Sequence, residues 1–458
     1  MIDFSASLLA VLRCPECAGP VEFAGATGQP LPTGAFGVLS CGKHEFPVVD
    51  GIPVMRTGRI DVQDHMNGRA EVVGPTVTQL VQLVRGPDPL AALVELLAFP
   101  PALPMNLERL PGLRLPLTRG PGRVLALAAR KRAVRAKLTI PVDRQTARDW
   151  FEHSYLRTRN VNRELYPYFL MRFGQPRYLA SLSLTSVLPA AEKPVLDLAC
   201  GFGHLMYHLS VRPAAVKSVG VDRNFFQLWV ARRWVAPGNE YVCADAATPL
   251  PFADQAFSAS LCTDAFHLFD DQPGALAELR RCADNETVII DRVGNSQLEP
   301  DDGDAERDPQ GYLDLAGDLP NRMIGQAELL AGYLAGKRPD LREPRTAKEF
   351  TEEKWLSMVL SRDESLFRDY GSFDHLPHAA GHLGLNPIYR ITHVGDEVRL
   401  RFEFPSTWYA FENAGMLAYH PAGARLTRAE YAAAAAGERN AELIAKYVQL
   451  GLPEHYVR

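Results

Sequence analysis

Three acidic residues and two glycines carry a spacing on which chemistry can be built. Asp197 sits in the apolar run Val195 to Leu198, which breaks into Gly201 and Gly203 before a helical pattern resumes through Leu205, Met206 and Leu209. Only glycine lets a chain turn this tightly and press its backbone against a ligand. The helix start behind such a turn offers unpaired N–H groups at the carboxyl edge of a sheet, where open α/β proteins bind ligands. A second apolar run, Lys217 to Val221, ends in Asp222, placed to accept hydrogen bonds from a ribose diol. A third, Glu240 to Cys243, leads into Asp245. The chemistry this spacing suits is the capture of a nucleotide under a strand edge.

Such residues need a parallel sheet to hold them, and the chain supplies one. A fourth apolar strand (Ala256 to Cys262), an amphipathic helix (Pro273 to Cys282) and a fifth strand in Glu286 to Val293 continue the alternation. On Asp197, Gly201, Gly203, Asp222, Asp245 and Ala246 the chain resembles class I S-adenosylmethionine-dependent methyltransferases, the broad group that alkylates small molecules and quinones. The resemblance covers Pro194 to Val293. It implies an α/β, Rossmann-like seven-stranded sheet. It also implies S-adenosyl-L-methionine as cofactor, held by Asp197, Ala199, Gly201, Gly203, Asp222, Arg223, Asp245, Ala246 and Cys262. Two departures stand out: His204 and Leu205 replace a small residue, and Ala283 to Glu286 replaces the usual Pro-Gly-Gly turn. A nicotinamide-binding sheet would use Asp222 in the same way, but the loop lacks the G-x-G-x-x-G spacing.

After the fourth strand, the family places substrate near His267 and Asp264. Histidine titrates near neutrality and suits a general base, although capping or packing also fits His267. Asp291 is a second acid able to hold a substrate amine or hydroxyl. Residues 149–174 are rich in aromatics and arginines and precede the first strand, where the family carries lid helices. Tyr155, Arg157, Arg159 and Tyr166 are candidates there for the substrate pocket or the methionine carboxylate, with Tyr155 the third catalytic candidate.

Cys14 and Cys17 form one knuckle, and Cys41 with His44 a second. A Cys3His set fits tetrahedral zinc in a closed structural site. About sixty residues bury too little core to fold alone, so metal binding would supply folding energy. The lead-in, Cys-Pro-Glu-Cys and the closing Phe46 to Met55 resemble zinc ribbons that accompany methyltransferases as activator subunits or N-terminal fusions, some of them ribosomal-RNA enzymes. A metal-free β-module with reduced thiols is the alternative.

At 458 residues and net charge −5, the chain is long for one core and weakly unsuited to a polyanion. Nothing approaches the ~18 apolar residues of a membrane helix, and no leader is convincing, so a cytoplasmic location is the default. The expected organisation is a zinc-ribbon-like module (1–58), a Pro-rich helical linker region (59–145), and a core with lid helices (146–293). A helical cap insertion (294–385), a closing β-hairpin of the core (386–410) and a helical tail (411–458) follow. Within the cap, Ala347 to Leu360 reads as helix, and His375, His378 and His382 beside Asp374 have a spacing that suits a surface, a pocket wall or a metal. Arg130, Lys131, Arg135 and Lys137 lie on one predicted helix as a solvated face or a phosphate-binding stripe. The expected partner is a small-molecule or peptide substrate, with nucleic acid second, no membrane, and a homodimer left open.

Overall fold

The computed structural model describes residues 4–26, 34–60, 74–98, 121–156, 164–188, 191–247, 249–298 and 305–457. At its centre lie seven strands: β1 (Val195–Leu198), β2 (Ser218–Asp222), β3 (Glu240–Cys243), β4 (Ala259–Thr263), β5 (Val288–Gly294), β6 (Asn321–Gly325) and β7 (Trp355–Leu360). Their spatial order is β6-β7-β5-β4-β1-β2-β3. β5, β4, β1, β2 and β3 are parallel, and β7 runs antiparallel to both β5 and β6. Every residue of β1, β2 and β5 is buried, as strands covered on both faces require. Successive strands step outward from β1 on one side and from β4 on the other. The carboxyl ends of β1 and β4 therefore border the crevice where such sheets take ligands.

The seven-stranded sheet is the expected one, but the strands that close it are not. The hairpin expected at 386–410 does form, as Tyr389–Val394 paired with Glu397–Phe402, yet it joins Gly423–Thr427 in a separate three-stranded sheet. β6 and β7 close the core instead, from inside the segment expected to be a helical cap. Burial explains the exchange. The hairpin strands bury only one and two of their six residues, whereas five of the six residues of β7 are buried. Only the latter pattern suits a strand covered on both faces. The helix expected over Ala347 to Leu360 reduces to one 3-10 turn, Ala347–Phe350, begun by a Thr346–Glu349 capping box. The tail is likewise only partly helical: Gln449–Gly451 pairs with Leu383–Leu385.

The N-terminal module is welded to the β3 edge. Val54 bridges Cys243 in parallel, and the Met55 N–H donates to the Cys243 carbonyl at 2.8 Å. Asp50, fully buried, accepts from Trp229 Nε1 at 2.7 Å and from Arg233 Nη2 at 2.5 Å. Among the described residues no helix is long and apolar enough to cross a membrane.

Candidate functional site

The glycine loop follows β1 directly. Ala199, Gly201 and Gly203 have φ of +59°, +54° and +70°, and Gly203 caps the helix α1 (His204–Val211). A Cβ on Gly203 would stand 3.2 Å from both the Ala231 Cβ and the Tyr241 hydroxyl, so space and backbone both require glycine. Asp222 ties the loop to β2: its carboxylate accepts the Gly201 N–H at 3.0 Å and the Asn224 N–H at 2.8 Å. Asp197 is 2% exposed, and among the described residues no hydrogen-bond donor reaches its carboxylate. Burial, then the neighbouring charge of Asp222, push it up to about 7. Two buried carboxylates beside a glycine turn at a helix start are a charge set that fits S-adenosylmethionine, which carries a cationic sulfonium and ammonium on a nucleoside.

At the neighbouring strand end, Asp245 accepts the Ala247 N–H at 3.1 Å and pairs with Arg56 at 2.9 Å. Arg56 also donates to the Arg223 carbonyl at 3.2 Å. The N-terminal module thus reaches the rim of the cradle, which no spacing in the sequence indicates. Ala246 is half-buried beside Asp245. Cys262 lies opposite Leu198 within the sheet, and burial raises its thiol well above the usual range, so it packs beneath the cradle.

Across the crevice, β4 ends at Asp264, which has φ of +58°. Its carboxylate takes the Tyr168 hydroxyl at 2.8 Å, Arg172 Nη1 at 3.1 Å, Arg292 Nη1 by a short bond, and Arg177 Nη1 at 3.5 Å. Burial would raise Asp264, but Arg292, Arg172 and Arg177 hold it well below the usual carboxylate range. An acid so engaged anchors its neighbours and makes a poor proton acceptor. His267 is buried nearby, its ring 6.1 Å from that of Trp355. Tyr155 lies elsewhere, packed on Phe169 at 5.7 Å and on the loop residue Phe202 at 6.4 Å. Arg157 and Arg159 lie outside the described residues. Tyr166 donates to Glu152 at 3.1 Å. Asp291 is capped by the hydroxyls of Ser181 at 2.5 Å and Ser357 at 2.7 Å, leaving it little capacity for a substrate. The residues that sequence reasoning missed are Arg172, Arg177 and Arg292. A signal for the last was visible: a charged pair, Asp291 and Arg292, inside the buried run of β5.

The Cys14, Cys17, Cys41 and His44 ligand atoms all lie within 4.8 Å of one another. Cys17 and Cys41 sulfurs are 3.6 Å apart, and His44 Nδ1 is 3.4 Å from Cys14 and 3.6 Å from Cys41. A tetrahedron with Zn–S bonds of ~2.3 Å has edges of ~3.8 Å, so the set fits zinc almost without rearrangement. Burial pushes Cys14 up to about 11. Cys41 is drawn down to about 6, because the Lys43 and His44 N–H groups and the other two thiols outweigh its slight burial. The histidines of the cap do not converge: His378 is buried against Tyr333 and the Ile444 carbonyl, while His375 and His382 are exposed.

Residues 195–286 match the family model described as Methyltransferase domain. Demethylmenaquinone methyltransferase of Thermus thermophilus is 37% identical over 114 residues, 24% of this chain and 52% of that protein. Phthiotriol/phenolphthiotriol dimycocerosates methyltransferase 1 of Mycobacterium ulcerans is 30% identical over 146 residues, 31% of this chain and 50% of that protein. The chain spans about half the length of these curated relatives. Among solved structures, the plantazolicin methyltransferase BpumL, in complex with a pentazolic desmethylPZN analog and SAH, is 15% identical. The match covers 47% of this chain and 95% of that one at a TM-score of 0.31.

Proposed function

We propose that this chain is an S-adenosylmethionine-dependent methyltransferase acting on a small-molecule or peptidic metabolite at O, N or C. The observation that carries the reading is the buried Asp197 carboxylate, which no donor among the described residues reaches, beneath a glycine loop that Asp222 holds in place. When bound, S-adenosylmethionine supplies an electrophilic methyl carbon on a sulfonium. Asp222 and the loop N–H groups orient the nucleoside, and Asp197 offers negative charge to the cation. His267, beyond the end of β4, is placed to hold or accept the acceptor's proton. The domain match at 195–286 and the two methyltransferase relatives support the same reading.

The RNA-base reading draws on the zinc-ribbon resemblance and on the basic stripe of 119–144, which contains the helix Pro121–Leu138. There Lys131 pairs with Glu95, Arg135 with Asp88, and Lys137 donates to the Asp149 carbonyl at 2.6 Å. With those cations engaged inside the chain, a small acceptor is the better reading. A calorimetric titration with S-adenosylmethionine should give one site per chain. No heat and no thermal shift would leave a non-catalytic scaffold and overturn the proposal. We infer a structural zinc on Cys14, Cys17, Cys41 and His44, since four protein ligands leave no open position. Metal analysis of reduced protein should count about one zinc per chain, and a metal-free preparation of unchanged melting temperature would remove it.

A further inference from the structure

Among the described residues, the crevice wall opposite the cradle carries three guanidiniums against two carboxylates. Arg172, Arg177 and Arg292 converge on Asp264, and among the described residues the other carboxylate paired with them is Glu412, 2.9 Å from Arg177. Arg177 and Arg292 side chains are only 6% and 7% exposed. The Arg292 guanidinium carbon stands over the Trp355 ring, 3.5 Å from its centroid, and among the described residues its buried Nε–H meets no acceptor. Asp291 does not supply the missing charge. Its oxygens face Ser181 and Ser357, and burial pushes it toward the neutral form. Taking a guanidinium out of water without a counter-charge is costly, so the chain gains only if something else brings the anion.

The location limits what that anion can belong to. Asp264 and Arg292 lie at the carboxyl ends of β4 and β5, on the side of β1 away from Asp222. The nucleoside cradle occupies one flank of the crevice and the arginines the other, with His267 beside them. The mouth is partly aromatic: Trp408, 37% exposed, stands 6.3 Å from Tyr168, and Phe411, 73% exposed, lies 5.9 Å from the Lys354 ammonium.

Resting on the methyl-transfer reading, we propose that the acceptor carries an oxyanion, a carboxylate or phosphate on an apolar body, which Arg292 with Arg172 and Arg177 binds. Arginine's planar fork suits both groups, by paired hydrogen bonds a lysine cannot reproduce. Seating the oxyanion there fixes the acceptor in register with the β1–β4 crevice.

The test uses the full chain saturated with S-adenosylhomocysteine and titrated with octanoate, octyl phosphate and octanol at constant ionic strength. At least one anion should bind tenfold or more tightly than octanol, and the tighter of the two identifies the headgroup. Arg292→Gln should weaken that binding by about tenfold or more, and Arg292→Lys should restore only part of it. Retained S-adenosylhomocysteine affinity in both variants controls for folding. Equal binding of octanol, no anion binding, or an anion affinity indifferent to Arg292→Gln overturns the inference alone. Failure of the wild-type chain to bind S-adenosylhomocysteine overturns the methyl-transfer reading beneath it.

Discussion

The two flanks of the crevice handle buried charge in opposite ways. On the β2 side, the Asp197 and Asp222 carboxylates stand together, and burial with the Asp222 charge drives Asp197 up to about 7. On the β5 side, three arginines crowd one aspartate, and Asp264 is driven far down. Both arrangements cost folding energy, because a desolvated charge is compensated only by a close opposite one. One flank asks for a cation and the other for an anion. The contrast teaches that like charges gathered on either side of a strand crossover give the two flanks opposite polarity.

The comparison can be broken most forcefully at Asp264. Asp264→Ala strands three buried guanidiniums with Glu412 alone, and should cost about 3–5 kcal/mol of unfolding free energy in urea. A loss under about 1 kcal/mol would mean that the arginines are well solvated and the flank is not charge-starved. Next in size, Asp222→Ala removes the acceptor that fixes Gly201 and the proposed ribose contact. S-adenosylmethionine binding should weaken by roughly 1.5–3 kcal/mol, about tenfold to a hundredfold in Kd, by calorimetry. An unchanged Kd would undo the ribose assignment.

The smallest effect is a pH dependence. Asp197 has a folded value raised from 3.8 to about 7, so the ligand-free fold holds an extra proton between those limits. Its contribution to stability is full below about 3.8 and is lost as pH rises through 7. A cationic ligand needs the ionised form. Affinity for S-adenosylmethionine should therefore climb by at most about tenfold per pH unit up to about 7 and level off above it. Proton release on binding, read from titrations in two buffers of different ionisation heat, sharpens the test; zero release at pH 6 would place the charge elsewhere.

How much was legible follows from the range of each signal. The glycine loop, Asp222 and the Cys3His knuckles are short patterns that a few consecutive residues impose, and each stands where its pattern puts it. The closing strands were misread for the same reason. Lys348 to Lys354 is composed of good helix formers, while the choice of Trp355–Leu360 for the sheet depends on being covered from both faces. Asp264 looked like a free acid because Arg172, Arg177 and Arg292 lie 92, 87 and 28 residues away from it. No sequence window brings them together.

By itself, then, the sequence determined the parallel α/β core, the glycine turn after its first strand, and the three thiols and one imidazole that converge at the N-terminus. These follow from backbone sterics and from two-residue and 3.6-residue periodicities, which act locally. Only the tertiary structure decided which strands close the sheet, that Arg56 of the N-terminal module reaches Asp245, and that one flank of the crevice is acidic and the other basic. Those outcomes rest on desolvation and charge pairing between distant segments, energies that exist only once the segments are packed together.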